Sequence, residues 1–463
     1  MVYVLFIIIL LLFILSFIIN EKNIIAPAFV FSFGFIFQAI WVVCYARKWE
    51  LGMHLNTFLV IALGIAEFIA VCYITHVLFN YINKKRNTSC EQEKNIECKE
   101  TIELIKINNI VEVLYLIFMV IVSICYLYFV VKSVNGSFTS ISKIMEAISK
   151  HDNLSKFSEQ SVNIPFIITN LEELVMASGY WFIYVAINNF LSNKKINPVE
   201  ILIVITSVIS SMLNGSRTTA FMIMFSAIVI FIILLQKKKN NRNVISFHLL
   251  RNIAIIGCVF IVIFYTSAQI WGRADKNDKM YYFAIYCGAE VKNLDLFLQE
   301  KEYVKNSDIW GSQTFYSIIQ TFGKKVAVNS FQNYKLDLPF RNVNGLNLGN
   351  VYTTFYPYIY DFGYVGEFVL VLLMAAISQF VYEMVCKNKL KNQPQILILI
   401  YSSIFNCLVL SFFSNKFYEN LFSMKMGKHI IFWLVLNFIF CKLDYNKIMR
   451  RIKHENWCCD SYL

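Results

Sequence analysis

The residues of this chain best suited to chemistry gather in three places. The first is Asn214-Gly215-Ser216-Arg217-Thr218-Thr219, set between two apolar runs. Gly215 permits a tight turn, and Ser216 or Thr218 can cap the helix that follows. An arginine at a helix N-terminus opposes the helix dipole. Its placement fits an anion, such as a phosphate, held at the same spot by guanidinium and helix amides together. An interfacial arginine reaching lipid headgroups is the plainer reading of the same residue.

The second place is the polar stretch 272–362, where Arg273, Lys292, Lys324, Lys325, Lys335 and Arg341 are interleaved with Glu290, Asp295 and many aromatics. Near-balanced signs suit a lipid diphosphate carrying sugars: cations for the diphosphate, carboxylates and aromatic faces for the sugar. Ordinary solvated salt bridges explain any single member equally well. The third place runs from Tyr352 through Asp361 and Glu367 into an apolar run. Carboxylates at a membrane edge are costly unless paired or solvated by a cavity, so Asp361 is a candidate general base or sugar-binding acid. Alternatively Asp361 caps a helix and Tyr352 to Tyr360 form an interfacial aromatic belt. Glu172, Glu173 and Glu67 lie within apolar runs and are expected to face a bundle interior.

The elements that must position these residues are membrane helices. Of 463 residues, 57% are hydrophobic and 16% charged, against roughly 25% charge in a soluble domain. A mean hydropathy of +0.56 excludes a water-exposed globular surface. About 20 apolar residues cross a bilayer core, and such runs occur at 1–19, 24–45, 57–79, 110–131, 165–191, 199–213, 219–236, 252–271, 363–385, 395–413 and 421–441. The expected fold is therefore an all-α polytopic membrane protein of about 11 transmembrane helices. Helices 1–8 occupy 1–271, a large external loop 272–362 separates helices 8 and 9, helices 9–11 occupy 363–441, and a tail covers 442–463. The run at 199–213 is short for a crossing and reads as tilted or partly re-entrant.

Lysine and arginine mark cytoplasmic loops. Eleven crossings place Lys84-Lys85-Arg86, Lys194-Lys195, Lys237 to Lys239, Lys387 to Lys391 and Arg450-Arg451 on one side, at the cost of a mild violation at Arg47-Lys48. The N-terminus is then outside and the C-terminus inside. The net charge of +12 is thereby a matter of topology, and nucleic acid is not an expected partner. The 12 Cys and 6 His are scattered without a zinc spacing, so no metal is expected. There is no Walker loop, Asp-x-Asp motif or zincin His pair, which argues against an ATPase, a metal-dependent nucleotide-sugar transferase and a metalloprotease.

With its Asn214-Gly-Ser-Arg217-Thr and Tyr352-Thr-Thr-Phe-Tyr-Pro-Tyr-Ile-Tyr-Asp361-Phe-Gly363-Tyr-Val-Gly366 segments and its large outer loop, the chain resembles the Wzy-type O-antigen polymerases. The resemblance implies a bacterial cytoplasmic (inner) membrane protein that joins undecaprenyl diphosphate-linked oligosaccharide repeat units, donor and acceptor alike, at the outer face. It implies no cofactor, and a chain-length regulator and a flippase of the same pathway as partners besides membrane lipid. Under it, Arg217, Asp361 and Glu290 are the catalytic candidates. Ser216, Thr218, Arg273, Lys324, Lys325, Arg341 and Tyr352 are the substrate-binding ones. The family's outer-loop arginines are sometimes followed by a glycine at fixed spacing; Arg273 and Arg341 do not match that pattern cleanly.

Three other readings compete. An O-antigen ligase uses the same donor. A lipid-linked oligosaccharide flippase or other transporter predicts internal repeats and an inward cavity, which the sequence does not display. An acyltransferase calls for a prominent membrane histidine, whereas His76 and His429 stand apart from other chemistry-bearing residues in the sequence.

Overall fold

A computed structural model describes residues 1–88, 102–157, 164–215, 217–241, 251, 279–300, 310–319, 321, 336 and 338–443, with side chains at all of these except 86–88, 155–157, 217 and 279. The described chain is helical apart from one short hairpin. In order, the helices are α1 (Val2–Ile19), α2 (Pro27–Tyr45), α3 (Leu55–Thr88), α4 (Asn109–Ser133), α5 (Ile141–Phe157), α6 (Phe166–Asn193), α7 (Pro198–Met212) and α8 (Arg217–Lys239). They continue with α9 (Lys279–Gln299), α10 (Phe355–Lys387), α11 (Ile396–Val409) and α12 (Met424–Asn437).

Among the described residues eight helices are long and apolar enough to cross a membrane: α1 to α4, α6, α8, α10 and α12, the last with its π-helical extension to Lys442. Two shorter apolar helices, Pro198–Met212 and Ile396–Phe412, accompany them. Ten of the eleven apolar runs are thus helices, and the run at 252–271 lies outside the described residues. The short run forms α7, whose 15 residues span only about 22 Å. Helix boundaries follow local rules: Pro27 and Pro198 open α2 and α7, and Asn108, Asn197 and Ser423 cap α4, α7 and α12 through side-chain oxygens.

The lysine clusters meet at one end of the bundle. Lys238 Nζ donates to the Leu191 carbonyl, Lys237 Nζ to the Asn388 carbonyl, and Lys387 sits 5.2 Å from the Phe79 ring. These contacts join the ends of α3, α6, α8 and α10 into a basic end. The discordant Lys48 lies elsewhere, with its ammonium 4.0 Å from the Tyr281 ring, so an aromatic face solvates it.

Two polar segments between the apolar runs contain helices. Residues 132–163 hold α5, whose Ile144, Ala147 and Ile148 pack on the end of α4. Residues 272–362 hold α9, which lies deep against α2 and α3. Its Gly288 fits the Trp49 ring so closely that a Cβ there would come within 3.0 Å. Its Asp295 accepts hydrogen bonds from Thr57 Oγ1 at 2.7 Å and from the His54 amide at 2.9 Å. After α9 comes the antiparallel hairpin Arg341–Val343 (β1) and Leu346–Gly349 (β2), closed by Asn344-Gly345, both at positive φ, as a tight primed turn requires. The helical periodicity of α9 is interrupted by charge, which is why hydropathy alone passes over it.

The helix expected at 363–385 starts eight residues earlier, and it is broken. Gly363 has φ 67 and ψ −167, which separates a buried half-helix, Phe355 to Phe362, from the long apolar part. Tyr352, Tyr356, Tyr358 and Tyr360 are all buried, so this stretch is not an interfacial belt. It packs on α2 through Phe35 and on α9 through Phe297.

A candidate active site at the end opposite the lysine clusters

α6 ends at the basic end, so its first turns lie at the far end. There Glu172 and Glu173, adjacent in sequence, turn toward different helices. Both oxygens of Glu172 accept from Ser210 Oγ of α7 at 2.8 Å, and Ser123 of α4 joins Ser210 at 2.7 Å. Glu173 points to α12, with its Oε2 3.3 Å from Lys425 Nζ and 3.2 Å from His429 Nε2. Lys425 and His429 are one turn apart and share a face of α12. His429 is buried and packs on Tyr180 and Trp433. It is therefore not isolated, and neither is His76, whose Nδ1 meets Glu383 Oε1 at 2.5 Å.

A cleft of about 110 Å³ opens beside this triad, room for a small polar group or a few waters. Tyr180 of α6, Thr219 and Met222 of α8, Asn406 of α11, and Lys425 and His429 of α12 line it. Asn406 Nδ2 donates to Ser226 and to the Met222 carbonyl, whereas its buried Oδ1 has no partner among the described residues. An acceptor left open in this way fits a donor on a bound molecule.

Arg217 is the first residue of α8, two residues from Thr219 in the cleft wall. Thr218 is half-buried, while Ser216 and the Arg217 side chain lie outside the described residues. The turn before α8 is fixed from several sides. Tyr126 Oη donates to Asn214 Oδ1, and Asn214 Nδ2 reaches Met176 Sδ at 3.7 Å. Gly215 has φ +73, and a Cβ there would come 2.4 Å from Asp152 Cβ of α5. Gly215→Ala is accordingly expected to cost about 1–3 kcal/mol through the left-handed backbone alone, plus displacement of α5. A fall in the unfolding midpoint of the detergent-solubilised protein measures it.

The other candidates fall elsewhere. Arg341, in β1, is paired with both oxygens of Glu300 and donates to Tyr352 Oη at 3.2 Å. Tyr352 in turn donates to the Pro339 carbonyl. The Glu300 carboxylate holds the Arg341 pKa above its ordinary value, and this pair reads as a brace for the hairpin. Glu290 is fully buried between α9 and α2, where Gln38 Nε2 donates to it at 3.3 Å. Burial pushes its carboxyl well up, and this sealed position is unsuited to a proton acceptor for a substrate. Arg273, Lys324 and Lys325 lie outside the described residues.

Asp361 does not cap α10. It accepts the amides of Gln313 at 3.2 Å and Thr314 at 2.6 Å, pinning the segment 310–319 to the half-helix. Thr314 also donates to the Pro357 carbonyl, and Asn415 to the Thr314 carbonyl. Asp361→Ala is expected to destabilise the fold by about 1.5–3 kcal/mol, the scale of hydrogen bonds to a charged group. Limited proteolysis within 310–319 reads that loss, and residual activity per folded molecule separates it from a catalytic role.

The site that assembles is therefore Glu173, Lys425, His429 and the start of α8. Of these, sequence reasoning picked out Arg217 and left Glu173 without a role. The signal for the rest was slight: a Lys and a His four apart at the start of an apolar run. No protein family model matches this chain, and no curated protein or solved structure shows significant similarity to it.

Proposed function

We propose that the protein is a metal-independent glycosyltransferase that polymerises polyprenyl diphosphate-linked oligosaccharides into a surface polysaccharide, working at the outer face of the bacterial cytoplasmic membrane. The observation that carries this reading is the cleft at the end opposite the lysine clusters, where Lys425, His429 and Glu173 stand beside the first turn of α8. If the basic end is cytoplasmic, the cleft is external, and eleven crossings put the N-terminus outside and the C-terminus inside.

The reaction asks for two things. Negative charge develops on the departing diphosphate, and a cation with helix amides at α8 stabilises it. The acceptor hydroxyl loses a proton, for which the Glu173–His429 pair supplies an acceptor at the cleft wall. A diphosphate leaving group is already reactive, so the site has no need of a nucleotide.

Deletion of the gene followed by gel profiling of the surface glycan tests the assignment. A polymerase defect leaves single-repeat product. Loss of attached glycan altogether indicates a ligase with the same donor, and precursor stranded inside indicates a flippase; either result replaces the proposal.

A further inference from the structure

Away from this cleft, the seam between α3 and α10 carries two carboxyls inside membrane-spanning segments, Glu67 and Glu367. Glu367 is 8% exposed, and its Oε1 lies where a Cβ on Gly64 would come within 3.0 Å. Gly64 and Glu67 are three residues apart, hence on one face of α3, so the Glu367 carboxyl rests on the face that bears Glu67. The Oε1 atoms of both are buried, and among the described residues neither accepts a hydrogen bond.

Two ionised carboxylates in this position would repel each other without a counter-charge, in surroundings that include the Phe355 ring beside Gly64. Among the described residues, neighbouring elements turn their charges elsewhere. Tyr418 donates to the Leu370 carbonyl, Glu290 and Asp295 of α9 face Gln38 and Thr57, and the cations Lys292 and Lys416 are engaged by the Glu50 carbonyl and by Glu419. A metal ion would need several further oxygens, and the contacts at Gly64 are an aromatic ring and one carboxylate. A proton needs only the two carboxyls: it bonds covalently to one and is shared with the other, satisfying one orphaned oxygen and removing a charge.

We propose that Glu67 and Glu367 form a binding site for an exchangeable proton within the membrane, loaded through the half-exposed Glu67. The site is independent of the glycosyl-transfer cleft, and its failure would leave that reading untouched. It makes the α3–α10 seam responsive to the proton activity of the phase that reaches Glu67. Intramembrane carboxyls without a fixed partner are otherwise costly to keep.

Infrared difference spectra of the purified full-length protein in lipid nanodiscs, recorded between about pH 6 and about pH 9, the range buried glutamates reach, test this. The expected result is a protonated-carboxyl carbonyl band that titrates across that range and disappears in both Glu67→Gln and Glu367→Gln, since sharing requires both groups. Glutamine mimics the protonated form, so the double variant is expected to unfold at a higher temperature than the native chain at the upper pH. A band unchanged by either substitution, or no titrating band, overturns the proposal. So does a band abolished at constant pH by sodium or potassium, which assigns the pair to a cation. If the double variant is less stable than the native chain at high pH, the carboxylates are charged and paired, and the proposal likewise fails.

Discussion

Replacing Lys425 with methionine is expected to stop chain growth at a single repeat while the protein still reaches the membrane. Lys425 lines the cleft as a cation, and its ammonium lies within reach of both the Glu173 carboxylate and the cavity. Loss of one donor that stabilises developing charge typically slows a reaction by about 10²–10³-fold, enough to erase long polymer from a gel. Methionine keeps the length and apolar stem of the side chain, so packing against Met176, which the ammonium contacts at 3.6 Å, changes little. The rival explanation is that Lys425 only neutralises Glu173. Removing Lys425, whose side chain is 39% exposed, leaves Glu173 with His429 as its partner, and a solvent-screened pair of this kind contributes about 0.2–1 kcal/mol. A double variant decides between them. If neutralisation is the whole role, Lys425→Met lowers the unfolding temperature and adding Glu173→Gln restores it; if Lys425 meets the diphosphate, Lys425→Met keeps its unfolding temperature and loses long glycan. Full-length glycan from the single variant would remove Lys425 from the mechanism.

How much of this was legible beforehand follows from what each feature costs to encode. The membrane helices were legible because crossing hydrocarbon demands a long apolar run, and that demand is local. The lysine clusters were legible for the same reason, since each needs only its own neighbours in sequence. α9 was not, because a helix buried against α2 and α3 can keep Glu290, Lys292 and Asp295 once Gln38, the Glu50 carbonyl and Thr57 are there to meet them. Those partners lie more than two hundred residues away. Asp361 shows the same limit: its carboxylate and the segment near Gly363 looked like chemistry, yet the amides of Gln313 and Thr314 consume it. The Glu173–Lys425–His429 triad is also non-local, joining residues more than 250 apart, and nothing in the residues around Glu173 announces which of two adjacent glutamates will face α12. What sequence could read was the turn at Gly215, because a left-handed residue before a helix is a local requirement.

That turn sets up the second large effect. Arg217→Ala is expected to abolish polymer beyond the first repeat with no loss of stability. Arg217 is the first residue of α8, where the helix dipole disfavours positive charge. Removing it therefore relieves an unfavourable term worth about 0.3–1 kcal/mol, and the alanine variant is expected to unfold at the same temperature or slightly above. A structural residue behaves oppositely, losing stability and activity together. The lysine variant refines the test. A guanidinium that holds a phosphate through two parallel hydrogen bonds is poorly replaced by an ammonium, so Arg217→Lys should insert like the native protein and recover little polymer. An arginine that merely reaches lipid headgroups is replaced by lysine without loss. Glycan length, read by gel across the native, lysine and alanine proteins at matched expression, separates these cases. A lysine variant with native chain length would return Arg217 to the lipid interface and leave Lys425 as the cation at the cleft.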